Sequence, residues 1–244
     1  MDHTGDPSLF PVSTDLVVSP GFKRDKTTFP GYPMNEDALV TGDAFIGRNL
    51  VELDFSDAMT IGGFLVIDFF QDGGLYLLNR AAHNHISALA RTPEPRFIFL
   101  RGDIFHHPGE YRPTEHLQLL IKIKPSPLNK STIPISACPG SIFEAISPTN
   151  LRALDTKVTP FYELNAAMNE DLGDVEVALE KMLPFDGSAK VMVVIAHDAT
   201  LLDVLPFFPK SITEWDVEGY KAKRTWRFLK DLAGAIDGSA DGSR

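Results

Sequence analysis

The strongest constraint on this chain is the run at 191–195, Val-Met-Val-Val-Ile, with four β-branched side chains and no charge. Such residues are stiff in a helix and pack well on a pleated sheet, so the run reads as a strand. It ends on Ala196, His197 and Asp198. Other apolar runs repeat the theme. Phe64-Leu65-Val66-Ile67 and Leu75-Tyr76-Leu77-Leu78 flank Asp72-Gly73-Gly74, which signals a hairpin. Phe97-Ile98-Phe99-Leu100 is a buried-strand candidate, and Val51-Glu52-Leu53-Asp54-Phe55 alternates as a half-buried strand does. Leu16-Val17-Val18 is a short strand broken at Pro20-Gly21.

Helical spacing is confined to fewer places. Val175, Ala178, Leu179 and Met182 predict a helix over 174–182. Trp226, Leu229 and Leu232, with Lys and Arg between them, predict an amphipathic surface helix over 220–232. Residues 85–90 read as a short helix stopped before Pro93, and 199–205 as a helix or turn. The stretch 105–150 is rich in Pro, Ser and Thr and reads as a long surface excursion of the kind that often carries function. Strands and helices interleave while hairpins are frequent. The expected fold is a mixed α/β layered sandwich, not a doubly wound parallel sheet.

No composition break divides the 244 residues, so one domain over 1–236 is expected, followed by a disordered tail at 237–244. The formal net charge of -10 repels phosphate backbones and argues against nucleic acid as a partner. No stretch approaches the roughly 20 apolar residues that span a bilayer, and the polar residues 1–5 do not resemble a signal peptide. A single cysteine, Cys138, excludes an internal disulfide framework and fits a reducing compartment, so a cytoplasmic location is expected.

Several ligand-type residues stand at loop starts or just after strand-like runs: Asp2-His3, His83, Asp103 in Arg101-Gly102-Asp103, and His197 beside Asp198. Imidazole nitrogen and carboxylate oxygen are the donors that zinc accepts. Singly, each has a plainer explanation. A lone histidine is usually a hydrogen-bonding residue, Gly102-Asp103 is a turn signal, and Ala196-His197-Asp198 fits a helix cap. Their order and spacing, taken together, carry the weight.

Four stretches, Asp2-His3-Thr4-Gly5-Asp6-Pro7, Ala82-His83, Gly102-Asp103-Ile104-Phe105-His106-His107-Pro108-Gly109-Glu110 and Val194-Ile195-Ala196-His197-Asp198, occur in the order found in one superfamily. The chain resembles the metallo-β-lactamase superfamily, with the nearest likeness to lactonase-like and lactamase-like hydrolases common in fungi. The resemblance implies an αβ/βα sandwich, here lacking its first strands. Of the superfamily's His-x-His-x-Asp-His motif only Asp2 and His3 are present, as in a fragment of an active enzyme or a diverged, metal-poor relative. It further implies that Asp2, His3 and His197 bind one metal and Asp103 bridges to another, which His83 also holds; His85 is the alternative to His83. Asp2, Asp103 and His106 are the implied catalytic residues, with His106 standing where lactonase relatives carry a tyrosine that polarises the carbonyl. His107 and Glu110 are further loop candidates. Asp198 reads as a capping or supporting residue, and Tyr111, Arg112 and His116 as structural. Phe207, Phe208 and Trp215 either line a substrate pocket or belong to the core. The implied cofactor is zinc, two ions in intact relatives and one or fewer here. The implied reaction is hydrolytic opening of a cyclic ester, lactam or related small acyl compound. A catalytically dead binding protein and a thioesterase or glyoxalase II-type hydrolase are the alternatives.

Overall fold

The computed structural model describes residues 5–79, 85–93, 95–128, 137–148, 154–164 and 172–236. In chain order, β1 (Leu16–Val18) and β2 (Leu50–Glu52) pair in parallel. Strands β3 (Met59–Ile61), β4 (Phe64–Asp68), β5 (Leu75–Asn79), β6 (Ile86–Thr92) and β7 (Arg96–Leu100) follow as an antiparallel meander. A short antiparallel pair, β8 (Lys122–Ile123) and β9 (Cys138–Pro139), precedes helix α1 (Ser141–Ile146). Helix α2 (Leu172–Gly187) leads into β10 (Val191–Val194), and α3 (Tyr220–Thr225) is followed by a 3-10 turn over Arg227–Leu232.

Strand β10 joins the edge of the meander beside β7, giving the order β10-β7-β6-β5-β4-β3. This last pairing is parallel, with Val191 opposite Phe97 and Val194 opposite Leu100. Parallel neighbours cannot be joined by a hairpin. The intervening chain instead builds α2, which packs Val175, Ala178 and Met182 onto Val66, Leu78, Leu89, Phe99 and Val193. The opposite face is covered at its β7–β10 end by Trp215, packed on Ile98 and Met192. The Trp215 indole N–H donates to Thr92 Oγ1 at 3.2 Å. Further along that face the cover thins, and Leu65 and Leu100 are each 43% exposed. The result is the mixed α/β layered fold expected from the interleaved strand and helix signals.

Three local expectations need correction. Where a helix is expected over 85–90, residues 86–90 form the start of β6, paired on one side with β5 and, from Ala88, on the other with β7. Hydrogen bonding along both edges outweighs the helix propensity of Ala88, Leu89 and Ala90. The 105–150 stretch is not merely a surface excursion. It buries Tyr111, Arg112, Leu119, Ile123, Cys138 and Phe143, and a second apolar cluster joins this stretch to Phe161, Trp226, Phe228 and Leu229. Residues 220–232 are not one surface helix, because the α-helix ends at Thr225 and a 3-10 turn takes over. Arg224, Trp226, Phe228 and Leu229 are buried, so both sides of this segment meet protein.

Candidate metal centre

Because β7 and β10 run parallel, their C-terminal ends lie at the same edge of the sheet. Residues that leave such ends are the usual ligand-binding positions of open α/β sheets. After β7 the chain turns through Gly102, whose φ of +68° lies in the left-handed region that glycine tolerates without a steric penalty. Ile104 and Phe105 then plunge into the core, both fully buried. This apolar pair leaves Asp103 and His106, three residues apart, only partly covered, with side-chain exposures of 18% and 14%. Glu110 fixes the loop from below: its Oε2 accepts the His106 backbone N–H at 2.8 Å and that of His107 at 3.4 Å. After β10, the Ala196 N–H donates to the Gly102 carbonyl at 3.1 Å, and this ties the two loops together.

His197 therefore meets Asp103. Its Nε2 lies 2.7 Å from Asp103 Oδ1. His106 Nε2 lies 3.7 Å from the same oxygen, and the two imidazole rings are 4.8 Å apart, tilted by 34°. Asp103, His106 and His197 each offer one ligand atom, all within 4.8 Å of one another. Two imidazoles and a carboxylate match the donor set of catalytic zinc, which keeps its fourth position open. A further mark of fit is His106 Nδ1, which is buried and has no hydrogen-bond partner among the described residues.

A buried polar frame stands behind His197. Its neighbour Asp198 caps the following 3-10 turn (Ala199–Asp203) by accepting the Thr200 N–H at 3.1 Å. The other Asp198 oxygen accepts from Arg224 Nη2 at 3.2 Å, and both side chains are fully buried. Arg224 also donates to the Val193 carbonyl and, at 3.3 Å, to the Tyr111 hydroxyl. Burial pushes the Tyr111 phenol above its ordinary value, against the pull of Arg112 and Arg224. Nearby, Arg112 makes two hydrogen bonds to Asp186, at 2.7 and 2.6 Å. Arg101 completes the frame: its guanidinium donates to Ser87 Oγ at 2.8 Å and lies over the rings of Phe64, Phe99 and Phe105.

Of the site residues expected from sequence, Asp103, His106 and His197 come together. Asp2, His3 and His83 lie outside the described residues, and His85 is not a member of the described cluster. His107 is a capping residue, its Nδ1 accepting from Gly109 N–H at 3.0 Å while its Nε2 pairs with Asp231 at 3.1 Å. Trp215 belongs to the core, whereas Phe207 and Phe208 are 64% and 94% exposed and lie outside it. Sequence reasoning assigned His106 to carbonyl polarisation and did not count it as a ligand. The Asp-x-x-His spacing across two deeply apolar residues was the signal available for it. Nothing in the local sequence around Arg224 foretold its partnership with Asp198, because the two meet only through the fold.

No family model matches the chain, and no solved structure does. It is 38% identical over 240 residues to γ-lactamase FDB1 of Fusarium pseudograminearum, covering 95% of this chain and 55% of that protein. It is 36% identical over 241 residues to metallo-hydrolase mfmC of Annulohypoxylon moriforme, covering 96% of this chain and 60% of the relative. A third relative, cytochrome P450 monooxygenase mpaDE′ of Penicillium brevicompactum, is 40% identical over 245 residues, 97% of this chain but 25% of its own length. The chain thus spans about half the length of the curated relatives it matches, or less.

Proposed function

From the premise that this chain belongs to the metallo-β-lactamase superfamily, as its γ-lactamase and metallo-hydrolase relatives show, we propose that it carries the metal-holding end of a hydrolase that opens a small lactam or lactone. The observation that supports this most is the meeting of Asp103, His106 and His197 at the shared end of β7 and β10. In this reading the three hold a divalent ion, zinc by the nature of the donors, and Asp2, His3 and His83 add to the set from sequence alone. When bound, such an ion supplies Lewis acidity to a carbonyl and makes water nucleophilic near neutral pH.

The protein's own contribution is positioning. Asp103 Oδ1 stands 2.7 Å from His197 Nε2, so the carboxylate and that ring share the cluster. Arg224 and Thr200 hold Asp198, and through it they fix the backbone that carries His197. Glu110 holds the backbone of His106. Used as a donor, a ring N–H of His106 would stabilise negative charge gathering on the carbonyl oxygen, which is the alternative use of the same imidazole.

The test is metal content and turnover measured together. The full chain purified in zinc buffer is expected to retain zinc by mass spectrometry and to open γ-lactams or γ-lactones. Asp103→Ala is expected to lose both. Zinc below about 0.2 per chain would remove the basis of the reading. Zinc retained without turnover of lactams, lactones or thioesters would favour a binding protein, and thioester turnover alone would shift the substrate class.

A further inference from the structure

A cavity of about 530 Å³ that the hydrolytic chemistry above does not use reaches Ile86, whose carbonyl neighbours Gly102. Its wall is largely apolar, formed by Val17, Val18, Phe22, Leu39, Phe45 and Ile86. Two features build it. Strand β1 supplies Val17 and Val18, while the rings of Phe22, Phe29 and Phe45 stack edge-on and tilted with centroids 5.7–6.5 Å apart. The volume lies within the roughly 300–1,000 Å³ usual for small-molecule sites, and the wall composition suits a hydrocarbon guest.

The polar groups narrow the class of guest. Among the lining residues only Asp6 is charged, and its carboxylate is engaged, accepting from Ser8 N–H at 3.0 Å and Ser8 Oγ at 2.6 Å. Among the described residues no lysine, arginine or histidine lines the cavity. The described wall offers an anionic ligand no counter-charge and therefore favours a neutral guest.

Position links the cavity to the cluster. Ile86, a wall residue, opens β6 two residues before Ala88, which pairs with Leu100 at the end of β7. Its carbonyl oxygen lies 3.9 Å from where a Cβ would stand on Gly102. Gly102 in turn accepts from Ala196 N–H, and its next residue is Asp103. The wall of the cavity, the Asp103 loop and the His197 loop are therefore successive neighbours along one sheet edge. We propose that this cavity is the subsite for the hydrocarbon substituent of a neutral lactam or lactone whose ring reaches Asp103, His106 and His197. The proposal deepens the hydrolase reading and rests on it.

Calorimetry on the full chain in zinc buffer tests it, using γ-lactams that bear alkyl groups of one, three, five and seven carbons. Affinity is expected to rise about fourfold per methylene as the cavity fills. Ala44→Leu, which narrows the cavity, and Leu39→Asp, at a rim position 71% exposed where the fold tolerates change, are each expected to collapse the ratio between the longest and shortest ligands. A flat series in the unaltered protein overturns the proposal, and so does a steep series that neither variant alters. The matching γ-lactones give the second arm. If neither these lactones nor the lactams are opened while the chain-length dependence and its loss in both variants persist, the hydrolase reading falls and the cavity stands as an apolar binding site. If lactones are opened with KM independent of chain length, the subsite falls and the hydrolase reading stands.

Discussion

At the scale of single residues, the buried charges behind the site are held in fixed pairs. Asp186 would be raised by burial, but Arg112, through both its charge and its two hydrogen bonds, outweighs that effect and holds the carboxyl below its ordinary value of 3.8. The sign of the linkage follows. Above that ordinary value the pair's stabilisation is fully present. As pH falls below it, the unfolded chain takes up a proton that the folded chain refuses, and stability drops toward the lower folded value. Urea midpoints measured from pH 6 to pH 2.5 are therefore expected to fall less steeply in Asp186→Asn than in the unaltered protein; identical slopes would refute this. Lys221 stands against the same frame, donating to the carbonyls of Asp186, Ser188 and Val191 at 2.7, 2.5 and 2.6 Å. Burial pushes its ammonium down to about 8. Asp103 and His197 could be singled out in the sequence because each follows an apolar run read there as a strand. The partners of Asp186, Asp198 and Arg224 were not legible, because an ion pair spanning 26 or 74 positions leaves no local pattern.

At the scale of elements, what the sequence disclosed was period and punctuation. The hairpin at Asp72-Gly73-Gly74 and the runs now seen as β4, β5, β7 and β10 lie where alternation and β-branching put them. Strand β6 was misread because Ala88, Leu89 and Ala90 favour helix in isolation, and only neighbours on both sides make them a strand. The segment after Tyr220 was misread for the opposite reason: its helical stripe is real but short, and the burial of Trp226 and Phe228 forces a tighter turn. The end of α2 depends on close approach. A Cβ on Gly187 would stand 2.5 Å from the His116 carbonyl oxygen and 3.0 Å from its carbon. Backbone cannot yield as a flexible side chain does. Gly187→Ala is expected to cost about 1–3 kcal/mol in chemical denaturation, read as a lower midpoint with unchanged slope. A midpoint equal to that of the parent would show that the α2–β10 junction relaxes freely.

At the scale of the whole molecule, three apolar clusters among the described residues divide the work. One joins α2 to the sheet, one lies beneath Trp215, and one gathers the 105–150 excursion around Phe228. The first was foreseeable from the strand runs and the 174–182 stripe. The last was hidden because its residues come from distant, Pro-rich segments without period. Among the described residues no helix is long and apolar enough to cross a membrane. The parallel pairing of β7 with β10 has a thermodynamic corollary. Asp103 and His197 are adjacent in space yet separated in sequence by the whole of 104–196, which includes α2 and the Phe228 cluster's first half. An ion gripped by both would act as a cross-link across that long loop, present only in the folded chain. Zinc at a hundred times its dissociation constant is expected to add about 2.7 kcal/mol and to raise the melting temperature of the parent but not of Asp103→Ala. Scanning calorimetry with and without chelator would then register the ion as a rivet whose removal loosens elements far from the place where it sits.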